Sequence, residues 1–183
     1  IMGSIIGALF FFLQKSPCFP NMDNVSVGTV LIIMLYGCTL LPLPLKWDIR
    51  GWTEMHPLNG PAWSLYYEYI GNILYALFVR KFNKVALSIL VFLAACATLH
   101  LCLTAPNGDI VGGWALNWEQ QYVGFVRLLY PFFAGLLLSR LGWLIRVKKR
   151  AFWWCSLMIV IVLSVPRIGG EDGFWMNGLY EAL

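Results

Sequence analysis

From Val85 to Thr104 no residue carries a full charge at neutral pH and nearly every side chain is apolar. That length matches the roughly 20 residues a helix needs to cross a hydrocarbon core of about 30 Å. In such surroundings only a helix or a closed barrel satisfies its own backbone polar groups, so the run reads as a transmembrane helix. Comparable runs lie at 61–80, 119–140 and 151–168, and a shorter one at 1–13. The run at 25–45, closed by Pro42 and Pro44, is compatible with a span or with a re-entrant hairpin. Only 12% of the residues are charged and 60% are hydrophobic, whereas soluble domains carry about 25% charged residues. The expected fold is all-α, a polytopic transmembrane bundle with about six to seven membrane segments, forming one domain over residues 1–183. Ile1 follows no basic region and residues 180–183 resemble the start of a further helix, so the chain is expected to be incomplete at both ends.

Charge distribution supplies an orientation. Arg80, Lys81 and Lys84 cluster in one loop, and Arg140, Arg146, Lys148, Lys149 and Arg150 in another, while 105–118 has neither Lys nor Arg. Basic loops stay cytoplasmic, which places 105–118 outside. In a membrane chain the net charge of +4 therefore reports topology, and no nucleic-acid partner is expected; the bilayer is the first partner. Cys18, Cys38, Cys96, Cys102 and Cys155 form no CxxC pair and read as small hydrophobes, with no metal site expected.

The most constrained stretch is Asn59-Gly60-Pro61-Ala62-Trp63-Ser64-Leu65-Tyr66-Tyr67-Glu68. A turn with Pro at the expected first helical position leads into an apolar segment that carries a carboxylate. An ionisable group at membrane depth costs a few kcal/mol, so Glu68 is expected to be partnered and inward-facing. Ser64, Glu68, Asn72 and Tyr75 fall on one helical stripe with Gly71 beside it. On 119–140, Gln120, Gly124, Arg127, Pro131 and Gly135 form a second stripe around a lone Arg. Counting about 1.5 Å per residue puts Glu68 roughly 10 Å and Arg127 roughly 12 Å below the outer helix ends, so the two are expected to share a cavity. Such a pair either locks two helices in register or serves chemistry, the carboxylate handling a proton and Arg127 stabilising negative charge.

Other polar groups have simpler readings. His100 near a helix end reads as a snorkelling histidine and His56 as an exposed loop residue. The cluster Arg146 to Arg150 suits topology and anionic lipid better than a grip on a donor's phosphates. Trp114, Trp118, Trp153 and Trp154 read as interface anchors.

The run Asn59-x-Pro61-x-Trp63-Ser64-Leu65-x-x-Glu68, with Tyr75 further along, resembles the W-S-L-x-x-E signature of the membrane acyltransferase-3 family. Arg127-Leu128-Leu129-Tyr130-Pro131-Phe132-Phe133-Ala134-Gly135 resembles that family's Arg-containing helix, which runs into a Phe-x-x-Gly pattern. The resemblance implies a roughly ten-helix enzyme of the bacterial inner membrane, of which this chain is the middle part. It implies transfer of an acyl group, commonly acetyl, from acyl-CoA as donor substrate to a carbohydrate hydroxyl, with no bound cofactor. Glu68 and Arg127 would be catalytic, and Asn59, Trp63, Ser64, Asn72 and Tyr75 would bind substrate. The family's Arg and His motif has no counterpart here, so no catalytic histidine is carried over to His56 or His100. Gly71 and Asn72 also replace the aromatic pair that often follows the motif Glu, which bears on acceptor specificity. The rival reading from the residues alone is a transporter or flippase for an anionic or sugar-linked solute, which would favour internal repeats; none is found.

Overall fold

The computed structural model describes residues 1–13, 18–105, 110–142 and 150–164. Arg146, Lys148 and Lys149, the middle of the 105–118 loop, the end of the 151–168 run and residues 180–183 lie outside the described residues. The described residues form six α-helices: α1 (Met2–Phe10), α2 (Val27–Gly37), α3 (Ala62–Leu77), α4 (Lys84–Thr104), α5 (Trp118–Leu141) and α6 (Ala151–Leu163). Among the described residues there is no strand, only an isolated bridge between Glu54 and Ala115. Of the expected membrane segments, α4 and α5 are long and apolar enough to cross. The α2 helix is too short. Its 11 residues rise about 16 Å, half of the hydrocarbon core. It ends before Pro42 because Thr39 turns the chain: its hydroxyl donates to the Tyr36 carbonyl at 2.7 Å and accepts from the Leu41 N–H at 3.3 Å, and Leu40 takes a left-handed φ of 61°.

The chain divides into two compact units, residues 1–81 with 111–128, and residues 82–110 with 129 onward. The first holds α1, α2, α3 and the opening turns of α5. Its core gathers Phe11, Met22, Val30, Ile33, Leu43, Ile49 and Leu58. The connection between α2 and α3 is woven into this core rather than laid over it. Met55 N–H donates to the Trp114 carbonyl at 2.7 Å, and the Met55 carbonyl accepts from Leu43 N–H at 2.9 Å. Met55 is thus paired on both sides and the His56 carbonyl accepts from Asn59 N–H at 3.0 Å, within a run, Met55-His56-Pro57-Leu58, that is buried throughout. The small face of α1 makes room for it: a Cβ on Gly7 would lie 1.8 Å from the Leu58 carbonyl oxygen, and one on Gly3 would meet the Asn59 side chain at 2.7 Å.

In the second unit, Asn83 caps α4 by accepting the Ala86 N–H at 2.8 Å, as Asn favours at that position. Arg140 near the end of α5 donates to the Phe82 carbonyl. Every residue of α6 from Phe152 to Leu163 except Ser156 is exposed, and nearly all are apolar. None of the five cysteines is held in a disulfide among the described residues.

Gly7→Ala is expected to destabilise the fold by roughly 3 kcal/mol, because the clash is with a backbone carbonyl that cannot rotate away. Gly28→Ala meets nothing closer than 3.8 Å and is expected to be neutral or stabilising by up to about 1 kcal/mol. Thermal melts of the two variants in detergent, compared with the parent, measure the contrast.

Candidate functional site

The start of α3 is built by its own backbone. Ala62 N–H donates to the Asn59 carbonyl at 2.9 Å and Ser64 N–H to the Pro61 carbonyl at 3.2 Å, and Pro61 has the helical φ of −61° one residue before α3 proper. The Ser64 hydroxyl also donates to the Pro61 carbonyl, at 2.9 Å. Further along, the Asn72 amide donates to the Glu68 carbonyl at 2.9 Å. These local bonds hold two members of the expected polar stripe against their own helix.

The packed face of α3 is the neighbouring one. Ala62, Tyr67 and Gly71 are its buried residues, whereas Glu68 and Asn72 are exposed and Tyr75 is half-buried. The reason is steric. Tyr67 lies against α5 where Gly124 has no side chain, since a Cβ there would be 2.1 Å from the Tyr67 ring; a Cβ on Gly71 would be 3.0 Å from Leu128. Tyr67 also meets Phe125 edge-on at 5.3 Å and Trp63 at 6.2 Å. Aromatic burial of this size outweighs the placement of one carboxylate, so the stripe is turned out of the packed face.

Arg127 extends from α5 over Trp63. Its guanidinium carbon lies 5.0 Å from the indole centroid, and Nη1 donates to the Gly112 carbonyl at 3.3 Å. The 111–115 segment completes this corner: Gly113 N–H donates to the Gln120 side-chain oxygen at 2.7 Å, and Gly113 sits at φ +103° with a Cβ position only 3.0 Å from Trp63 and from Gly124. Only glycine fits there. Pro131 and Gly135 of the expected α5 stripe are exposed, whereas buried Gly124, half-buried Gln120 and exposed Arg127 meet at this corner. Glu68 does not join it: the carboxylate forms no ion pair among the described residues, with Arg127 or any other. Trp63 and Arg127 are brought together, Asn59 and Ser64 flank the helix start, and Glu68, Asn72 and Tyr75 follow along the open flank.

Residues 1–181 match the family model Acyl_transf_3, described as an acyltransferase domain. The chain belongs to that family. No curated protein and no solved structure matches it. This acyltransferase-3 member is accordingly a transferase of groups other than aminoacyl groups, acting between an acyl donor and an acceptor, and the transporter reading gives way to acyl transfer.

Sequence reasoning missed two buried polar groups beside the motif. Tyr67, only 2% exposed, has a hydroxyl with no hydrogen-bond partner among the described residues. His56, read as an exposed loop residue, is 5% exposed, and its Nε2 likewise has no partner among them. Its ring lies 6.3 Å from that of Tyr66. The cause is the inserted 55–58 run, whose pairing partners, Leu43 and Trp114, are remote in sequence. Burial lowers the His56 pKa from 6.5 to about 4. Burial also raises the Glu54 carboxyl, against the pull of Arg50, whose Nη1 lies 3.5 Å from it.

An unfolded His56 takes up its proton near pH 6.5 and the folded one only near pH 4. The stability this neutral histidine contributes is complete above pH 6.5 and is lost as pH falls toward 4, to a total of roughly 3 kcal/mol. Glu54, being raised, acts in the opposite sense, so the comparison has to be with a variant. His56→Phe is expected to flatten the acid limb of the melting-temperature profile between pH 6.5 and 4 relative to the parent; an unchanged limb would place the proton uptake elsewhere.

Proposed function

We propose that this chain is part of a membrane-embedded O-acyltransferase that moves an acyl group, commonly acetyl, from acyl-CoA to a carbohydrate hydroxyl in the bacterial inner membrane. The α3 to α6 helices then cross the bilayer within a polytopic bundle, with the basic loops cytoplasmic. The observation that carries the reading is the joining of the two family motifs: Arg127 of one lies over Trp63 of the other.

Acyl transfer to a hydroxyl needs a group that takes or guides the hydroxyl proton and a positive or hydrogen-bonding group for the oxyanion. Arg127 suits the second role, because its permanent charge is fixed in place by a ring on its face and a carbonyl at its edge, and a guanidinium carries five N–H donors in all. Glu68 suits the first as a carboxylate that guides a proton or holds a base in orientation. Ser64 and Asn72 use donors within α3, so what they offer an acceptor is oxygen: the hydroxyl lone pairs of Ser64 and the amide carbonyl of Asn72. Asn59, Trp63 and Tyr75 border the same flank. Ser64 is not the nucleophile in this scheme, since no histidine is placed to activate it.

The structure sharpens the test of Glu68. Since its carboxylate is exposed and unpaired among the described residues, Glu68→Gln in the full-length protein is expected to leave the melting temperature within about 2 °C of the parent. Acyl transfer to glycan is expected to fall by about two orders of magnitude or more. A fully active Glu68→Gln enzyme would end its catalytic role, and a poorly folded one would make it structural.

Arg127→Lys tests the other half. It keeps the charge but loses the planar stack, and a point cation cannot serve ring, carbonyl and ligand together. A fall in acyl transfer of about tenfold or more, with the protein still folded, is the expected result in the same assay.

A further inference from the structure

A cavity of about 470 Å³ lies between the 21–24 turn, the start of α2 and the 46–49 turn, wholly within the first unit and lined by none of the residues given a part in acyl transfer above. Asn21, Asn24, Thr29, Lys46 and Asp48 supply its polar lining, Thr29 sharing a hydrogen bond with the Ser26 hydroxyl at 2.9 Å, and Trp47 stands among them. Its apolar part includes Ile33 and Ile49, both part of the core beneath.

The walls are fastened to each other. Asn21 Nδ2 donates to the Asp48 carbonyl at 3.3 Å, Trp52 Nε1 donates to the Cys18 carbonyl at 2.7 Å, and the Arg50 guanidinium sits 5.1 Å from the centroid of the Phe19 ring. Gly51, at φ +89°, lets Pro20 approach to where a Cβ would be 2.8 Å away. Asp48 is spent on its own turn: its two carboxylate oxygens accept the N–H groups of Arg50, Gly51 and Thr53 at 3.0, 2.8 and 2.7 Å. In contrast, the Lys46 ammonium and the Asn24 side-chain amide have no partner among the described residues, and Trp47 keeps 44% of its surface exposed. All three are exposed, and Trp47 packs edge-on against Tyr36 at 6.1 Å, so the fold fixes the frame and leaves two polar groups and the open part of the indole able to meet a ligand.

We propose that this cavity binds a saccharide, the acceptor of the acyl group or a neighbouring unit of the same glycan. Its volume lies within the range of about 300–1,000 Å³ typical of small-molecule sites, and it pairs an apolar surface with a few placed polar groups. An aliphatic ligand would cover the amide and ammonium groups without bonding them and would leave each unsatisfied, which works against binding. A bare phosphate would find one lysine beside the Asp48 carboxylate. A sugar ring offers hydroxyls that both donate and accept, suiting amide, threonine and lysine together, and a C–H face for the indole.

The inference rests on the reading that the acceptor is a carbohydrate, and it adds where that carbohydrate is held. The full-length protein in detergent is titrated by saturation-transfer NMR and equilibrium dialysis with tetrasaccharides of glucose, N-acetylglucosamine and glucuronate, without acyl donor. Saturable binding of at least one is expected, weakened about tenfold or more by Trp47→Ala and by the double change Asn24→Ala with Lys46→Ala. Trp118→Ala, at a residue 85% exposed and outside the cavity, is the control and should bind as the parent does. The double variant removes side chains that hold nothing among the described residues, so it remains interpretable if Trp47→Ala does not fold. Absence of saturable binding in the parent, or equal binding in the double variant, overturns the proposal. Acyl transfer to glycan with an unmoved acceptor KM in the double variant removes the cavity and leaves the carbohydrate reading standing. Cavity-dependent binding with no acyl transfer to any glycan removes the carbohydrate-acceptor reading and leaves the saccharide site.

Discussion

The contact of Arg127 with Trp63 depends on how closely α3 and α5 approach, and that approach is a property of glycine. At Gly124 and Gly71 a single added carbon would collide with Tyr67 or crowd Leu128, and at Gly113 it would crowd Trp63. Arg127 remains exposed, and an exposed cation over an aromatic ring contributes about 0.5–1 kcal/mol, too little to hold two helices together. Burial of Tyr67 and its edge-on contacts contributes several times more. The energetics therefore run in one direction: glycines admit the aromatic packing, the packing fixes the helices, and the guanidinium is delivered onto the motif tryptophan as a consequence.

A second division follows from which polar groups the fold consumes. Ser64, Asn72, Asp48, Gln120 and Gln121 all spend donors or acceptors on nearby backbone. Such local bonds contribute roughly 1 kcal/mol each and remove the particular donor or acceptor they occupy from easy use by a substrate. Glu68, Lys46 and Asn24 are not so employed among the described residues. Two neighbourhoods of the first unit, the flank of α3 and the cavity by α2, thus carry chemistry that folding leaves over.

Much of this architecture is legible in the sequence because it is local. The bounds of α4 agree with the apolar run, since Asn83 caps one end and Ala105 leaves the helix at the other. The spacing of Gln120, Gly124 and Arg127 places them at one corner of α5, although Pro131 and Gly135 of the same stripe are exposed. Where the reading departs from the structure, the deciding partner is usually distant. Polarity alone points the α3 stripe inward, whereas the helix rotates to bury Tyr67 against Gly124, far along the chain. His56 looks like a surface loop until Leu43 and Trp114 pair with Met55 beside it. The 25–45 run has the composition of a span, yet a threonine side chain and a left-handed Leu40 stop its helix early, and neither feature changes the hydropathy.

The buried His56 also narrows how acyl transfer can work here. It lies only a few residues before the motif, and an imidazole is the commonest base for a hydroxyl. Yet it lines a cavity of about 10 Å³, room for about one water and not for a sugar. Its burial also keeps it neutral down to about pH 4, so it binds a proton weakly at the moment a base must hold one. Its enclosure and its neutral state thus fit a packing role for His56 under the proposed reading. What the α3 flank offers instead is a carboxylate, which by itself is a weak base toward an alcohol. Under the proposed reading Glu68 works best by orienting and charge-balancing a stronger base brought to that flank. Its exposure on that flank suits such a role. A carboxylate already locked to Arg127 would have no charge left to balance an imidazolium, whereas an unlocked one keeps both its charge and its freedom to meet a partner.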